Sequence, residues 1–200
     1  MVRRNLIKLC NCCGQLLYHL TSRRLLDRLQ TRQQLFRRGV LQGTDDPRCA
    51  FCHVELETAA HLMSSCTRVR EVWALCNSWT GGPLHFYDSP RDHLRHFAFH
   101  GWSRSQRVCE IAVWRAVVWS VWLHRNDIIF RDAVLDIDYL LDMIQFRSWN
   151  WVRHKVKGVG FSLFEWKIAW TLVFTPCDVL GACCLACGAA VMLGGLLSCA

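Results

Sequence analysis

Apolar residues recur at intervals of three and four along much of this 200-residue chain, which is the period of an amphipathic α-helix rather than of a strand. Near the start, Leu35 follows this pattern with arginines around it. Thr31, with Gln34 three residues later, has the spacing of a capping box. Gly39 is expected to end this short helix. A second helix is predicted over 68–79.

Two longer helices are predicted in the second half of the chain. From Ile111 to Leu123 only Arg115 and Ser120 are polar, and a helix that is apolar nearly all round is normally buried. The next helix begins at Asp136 and Asp138, whose charges suit the positive end of a helix dipole. Its packing face is predicted to contain Ile137, Leu140, Leu141, Ile144, Ser148 and Trp151. Its polar side is predicted to contain Asp142, Gln145 and Arg153. This helix should pack on the Trp-rich one.

Four tryptophans near the end of the predicted helices, Trp149, Trp151, Trp166 and Trp170, allow two interpretations. They could be platforms on which nucleic-acid bases stack. Aromatic residues at helical spacing are more often part of a core, and we favour the core.

Charge is unevenly distributed. Residues 1–48 hold 10 Lys/Arg and 3 acidic residues, whereas residues 49–200 hold 14 and 13. A basic excess of this kind suggests contact with phosphate backbones or an anionic membrane surface, and a solvated arm is the alternative. The 13 cysteines are odd in number and follow no clear secretion signal. We therefore expect a reducing, intracellular compartment, nucleus or cytoplasm.

A metal-ligand pattern, C-x2-C-x8-H-x4-C, consists of Cys49, Cys52, His61 and Cys66. Three thiolates and one imidazole are the right number and type of ligand for a closed tetrahedral zinc site. The first pair fits a tight turn, and the second pair is predicted to face the metal from a short helix. The intervening segment is too short to form a core, so the ion would have to order it. We predict one structural zinc ion.

The other histidines and the acidic residues near this pattern are less suited to binding a metal or to catalysis. His53 directly follows Cys52, where simultaneous ligation is awkward. His93, His96 and His100 share a helix face but lack a completing acid or thiol, so a partly exposed aromatic helix is favoured over a second metal site. A zinc hydrolase using Glu55 or Glu57 as general base is disfavoured, because a closed site holds no water.

The predicted fold is mainly α: a small zinc-knuckle module flanked by helices, followed by a Trp-rich helical pair. The predicted divisions are a basic N-terminal segment (1–24), a zinc-binding domain (25–80), a linker with a short helix (81–102), a Trp-rich helical region (103–175) and an apolar tail rich in Cys, Gly and Ala (176–200).

The order of several motifs resembles one family. A lead-in over 28–40 (RLQTRQQL…RRGV) precedes the zinc pattern, which contains Glu57-Thr58 and is followed by Val72-Trp73. The later W-x-x-W-x-x-R-N-x-x-x-F pattern comprises Trp119, Trp122, Arg125, Asn126 and Phe130. Together, over about 25–175, these resemble the reverse-transcriptase zinc-binding domain of plant non-LTR (LINE-type) retrotransposons. The Y-x-D-D motif of the polymerase is absent, so the chain resembles a part detached from it.

The resemblance implies a non-catalytic module that holds RNA or DNA near a polymerase, without a small-molecule substrate. The arginines expected to contact phosphates are Arg23, Arg24, Arg28, Arg32, Arg37 and Arg38. The alternative is a structural or protein-interaction relic. In that case the uncharged segment 179–200, long enough for a bilayer but weakly apolar, would tether it to a membrane.

Overall fold

The computed structural model describes residues 29–40, 46–82, 89–99, 104–155, 161–168 and 170. Its helices in chain order are α1 (Arg32–Arg37), a π-turn (His61–Ser65), α2 (Thr67–Thr80), α3 (Pro90–Phe99), α4 (Arg104–Arg131), α5 (Ile137–Lys155) and α6 (Leu163–Ile168). Within the described residues, the β-type pairing is one isolated antiparallel bridge between Arg48 and Leu56. The predicted mainly α fold is confirmed.

Helix α1 begins and ends as its sequence predicts. Thr31 is the N-cap, and its Oγ1 accepts a hydrogen bond from the Gln34 amide at 3.4 Å. The chain leaves the helix through Gly39, whose φ of 69° lies in the left-handed region that glycine adopts without strain. Gly81 ends α2 in the same conformation, with φ 68°.

The pairing of α4 with α5 forms the centre of the molecule. Trp114 and Val117 of α4 and Leu140 and Ile144 of α5 are at most 1% exposed, in one cluster of buried side chains that extends from Leu29 to Trp170. This cluster also contains six buried residues of segment 49–66, which we call the zinc knuckle: Cys49, Phe51, Ala59, Leu62, Met63 and Cys66. The predicted packing of these two helices on each other is confirmed.

One side chain of α5 lies on the opposite face from the one predicted. Gln145, predicted on the polar side, is buried. Helix α5 contacts α2 and α6 as well as α4, so its buried face is wider than a single neighbour would require. Asp142 lies on the exposed side as predicted, and its Oδ1 accepts a hydrogen bond from Lys167 Nζ at 2.6 Å.

The tryptophans near the end of the described chain belong to the core. Trp166 and Trp170 are buried and meet edge to face, with ring centroids 4.5 Å apart. The indole N–H of Trp166 donates to Ser148 Oγ at 3.0 Å, which satisfies the one polar atom of the buried ring. Trp149 and Trp151 are half-buried. The core interpretation is therefore confirmed for Trp166 and Trp170.

The first of the three spaced histidines is more buried than predicted. His93 on α3 packs edge-on against Trp73 with ring centroids 4.2 Å apart. Burial, followed by the nearby charge of His96, lowers the pKa of His93 to about 4. His100 lies outside the described residues.

No helix in the described ranges combines the length and apolarity that a bilayer crossing needs. The tail at 179–200, for which a membrane contact was predicted, lies outside those ranges, as do the basic segment 1–24 and most of the boundaries given for the predicted domains.

Candidate metal centre and basic surface

The first two ligands lie on a tight turn. The backbone carbonyl of Cys49 accepts a hydrogen bond from the His53 amide at 2.9 Å, and the Cys49 amide donates to the carbonyl of Glu55 at 2.7 Å. His53 has φ 55°, which turns the chain back on itself, and its side chain is exposed and outside the ligand cluster. The Phe51 amide donates to Cys49 Sγ at 3.4 Å. The turn thus directs both Cys49 and Cys52 toward one point.

The second pair of ligands depends on a π-turn. Residues five apart lie roughly 140° out of phase on an α-helix, so an α-helical His61 and Cys66 would face different directions. The segment His61–Ser65 is instead π-helical, and the Cys66 amide donates to the His61 carbonyl at 2.8 Å, an i→i+5 bond. This wider turn places residues five apart nearly above one another, on the same side. The predicted short helix is present, in a form that fits the ligand spacing better than an α-helix does.

The four ligand atoms form a compact group. All lie within 4.8 Å of one another, with Cys49 Sγ 3.9 Å from Cys66 Sγ and Cys52 Sγ 3.3 Å from His61 Nε2. Zinc–ligand bonds of about 2.0–2.3 Å in a tetrahedron require separations of about 3.5–3.8 Å. Cys49, His61 and Cys66 are buried, and Cys52 is half-buried. The donor set fits one structural zinc ion, and all four positions of a tetrahedron are filled by protein.

Without a metal, the same groups share protons. The hydrogen bond with Cys66, reinforced by burial, raises the pKa of the Cys49 thiol to about 12, and that bond lowers the pKa of Cys66. The amides of Val69 and Arg68 in the first turn of α2 lower it further. The hydrogen bond with Cys49 raises the pKa of His61 to about 9. Because ligands must be deprotonated to bind zinc, metal binding releases these protons.

The outer nitrogen of the histidine ligand has its own partner. His61 Nδ1 lies 3.0 Å from Glu55 Oε2 and 3.5 Å from Ser65 Oγ, while Nε2 faces the sulfurs. A carboxylate on the second ring nitrogen of a zinc-bound histidine fixes its tautomer and orientation. This role of Glu55 was not among the features predicted from the sequence. The signal was present, since Glu55 lies between the two ligand pairs.

Glu57 also has a role that its sequence position alone does not indicate. Its carboxylate is fully buried and accepts hydrogen bonds from Arg125 Nη2 at 2.6 Å and Nε at 3.0 Å. It also accepts from the backbone amides of Arg32 at 2.8 Å and Ala50 at 3.2 Å. One carboxylate therefore joins the start of α1, the zinc knuckle and helix α4.

The arginines proposed for phosphate contact divide into three groups. Arg37 and Arg38 are exposed at the end of α1. Arg32 is half-buried, and its Nη1 donates to the carbonyl of Arg48 at 3.0 Å, so it serves the fold as well. The other three, Arg23, Arg24 and Arg28, lie outside the described residues.

Comparison with known families agrees with this geometry. Residues 15–73 match the family model zf-RVT, zinc-binding in reverse transcriptase. The zf-RVT match contains all four ligands, Glu55, Glu57 and helix α1. It ends at Trp73, whose indole N–H donates to the Met63 carbonyl at 3.0 Å and joins α2 to the π-turn. No curated protein and no solved structure matches the chain.

Proposed function

We propose that this chain is a zinc-stabilised, non-catalytic nucleic-acid-binding module from the reverse-transcriptase protein of a plant non-LTR retrotransposon. The proposal extends the zf-RVT match over 15–73 to the function that such a region would have beside a polymerase. We infer that the protein acts in the nucleus or cytoplasm, where cysteine side chains stay reduced.

The observation that carries the proposal is the way the arginine-bearing helix is attached to the zinc knuckle. The Arg32 amide donates to Glu57 Oε1, the Gln33 amide donates to the Glu57 carbonyl at 3.4 Å, and Arg32 Nη1 reaches the carbonyl of Arg48. Ordering of the knuckle by zinc therefore fixes helix α1. Arg37 and Arg38 at its far end are then held in place.

The charge of Arg37 and Arg38 is available to a phosphate backbone. Within the described parts of the chain, neither arginine forms an ion pair with an acidic side chain. Such pairs are formed by five other arginines: Arg48, Arg68, Arg95, Arg125 and Arg131. Exposed guanidinium groups can contact phosphate oxygens whatever the base sequence. Single-stranded or structured RNA is the expected target.

The contacts of the nearby acidic side chains support a structural rather than a catalytic role for the metal. Glu57 already accepts four hydrogen bonds, and Glu55 faces His61 Nδ1 on the side away from the sulfurs. With three thiolates and an imidazole around the ion, a water ligand has no position to occupy.

The test is the salt dependence of binding by the full zinc-loaded chain to a fluorescently labelled single-stranded RNA. Arg37→Ala/Arg38→Ala should weaken binding and reduce the slope of log affinity against log salt by about 1.4, or about 0.7 per lost phosphate contact. The matched control is Arg68→Ala/Arg95→Ala, which removes two exposed arginines that are paired within their own helices. A flat salt response of the wild-type chain would contradict the proposal.

A further inference from the structure

A cleft between α4 and α5 lies outside the zinc knuckle and has no role so far. Its volume is about 420 Å³, within the range of about 300–1,000 Å³ typical of sites for single small ligands. Its lining includes His124, Asn126, Phe130, Arg131, Tyr139 and Arg147.

The lining combines exposed aromatic rings with guanidinium groups. Phe130 is 72% exposed and Tyr139 is 50% exposed, unlike Trp166 and Trp170, which are buried in the core. Arg131 Nη1 lies 2.6 Å from Asp127 Oδ1 at the surface, and Arg147 Nη1 donates to Ser120 Oγ at 2.6 Å. Flat apolar surface beside cationic donors is the combination that recognises a base together with its phosphate.

The histidine in this cleft has a structural contact that makes it unsuited to proton transfer. His124 Nε2 accepts a hydrogen bond from the Asp136 amide at 3.2 Å, and burial lowers the pKa of this histidine. A neutral imidazole fixed in this way positions the start of α5, and with it Tyr139, whose ring centroid lies 6.0 Å away.

The cleft is also connected to the basic helix. Arg125 Nη1 donates to Asn126 Oδ1 at 2.9 Å, and Asn126 lines the cleft. Nη2 of the same arginine donates to the carbonyl of Gln30 at 3.2 Å, directly before the cap of α1. The side chain of Arg125 therefore joins the cleft to the segment that precedes α1.

We propose that this cleft receives one unstacked base of a single-stranded nucleic acid, against Phe130 and Tyr139, with the adjoining phosphate at Arg147, or at Arg131 in exchange for its pairing with Asp127. This inference rests on the proposed function and adds to it a contact that depends on the base rather than on backbone charge.

The experiment compares two fluorescein-labelled single strands of about twelve nucleotides, one of oligouridine and one with the same phosphates but abasic sugars, on the full zinc-loaded chain. The wild type should bind the strand with bases about tenfold more tightly. Phe130→Ala should remove most of that difference and leave the abasic strand bound as before. The matched control is Phe164→Ala, which removes a ring 71% exposed on α6, away from the cleft.

Each outcome separates this inference from the proposed function. Equal binding of the two strands by the wild type, or equal losses in Phe130→Ala and Phe164→Ala, would overturn the base site while salt-dependent binding stands. Arg37→Ala/Arg38→Ala should weaken both strands alike and preserve their ratio. Loss of the ratio in that variant, with Phe130→Ala unaffected, would place base recognition at α1 instead and overturn the cleft assignment.

Discussion

Arg125 Nη2 of helix α4 lies 2.6 Å from Glu57 Oε1 of the zinc knuckle, and the two side chains are only 2% and 0% exposed. The guanidinium group also lies over the ring of Trp122, 5.1 Å from its centroid. This buried ion pair joins parts of the chain 68 residues apart. The pair therefore links the zinc knuckle directly to helix α4.

Removing either partner of this pair should be costly. Arg125→Met leaves the Glu57 carboxylate buried and uncompensated, so the free energy of unfolding should fall by about 3–5 kcal/mol. Urea unfolding of the zinc-loaded full chain measures it. The control Arg68→Ala removes an exposed i,i+3 pair with Glu71 and should cost less than about 1 kcal/mol. An Arg125→Met protein as stable as Arg68→Ala would show that the pair is not buried as described.

The carboxylate behind the histidine ligand should tune zinc affinity without being a ligand. Glu55→Gln weakens the hydrogen bond to His61 Nδ1 and should reduce zinc affinity about tenfold. We expect an effect at the small end of the range for residues behind a metal ligand because the Glu55 side chain is 64% exposed. Competition against a chromophoric chelator measures it. Glu71→Gln, an exposed acid on α2, is the control. Equal zinc affinities for Glu55→Gln and wild type would remove Glu55 from the site.

A buried acid on α4 should make stability depend on pH. Burial raises the pKa of Glu110 to about 7, opposed by a hydrogen bond from Trp170. Since the folded pKa is above the unfolded value of 4.5, the protonated form stabilises the fold below about pH 4.5. That contribution is lost as pH rises to about 7.

Replacing Glu110 by a neutral residue should prevent the fall in stability that occurs as the pH rises. Glu110→Gln keeps a neutral acceptor for Trp170 and should raise the free energy of unfolding by on the order of 3 kcal/mol at pH 8, with little gain at pH 4.5. Urea unfolding at the two pH values, with Glu71→Gln as an exposed control, measures the difference. A gain that is equal at both pH values would contradict a raised pKa.

Local features of the fold and site could be predicted because neighbouring residues decide them. The Thr31 cap, the glycine at the end of α1 and the buried face of α4 follow from side chains within a few turns. The ligand set follows from spacing and donor chemistry. The structure confirms the cap, the terminating glycine and the buried face, and it brings the four ligand atoms within 4.8 Å of one another.

The features that sequence analysis missed depend on contacts between distant segments. The π-turn is favoured by the fit of His61 and Cys66 around one point, which helix propensity does not reveal. The burial of Gln145 depends on a third neighbour of α5. The Glu57–Arg125 pair and the α4–α5 cleft depend on how separate elements pack, although the residues of the pair stood out in the sequence patterns.

Native mass spectrometry of the full chain tests the central claim most directly, that three sulfurs and one imidazole hold one zinc ion. Wild type should carry the mass of one zinc, removable by a chelator. Cys52→Ser and His61→Ala should each lose it, whereas Cys76→Ser, a buried thiol of α2 outside the ligand cluster, should retain it. A zinc-free wild type from zinc-supplemented expression, or zinc retained in Cys52→Ser and lost in Cys76→Ser, would contradict the account.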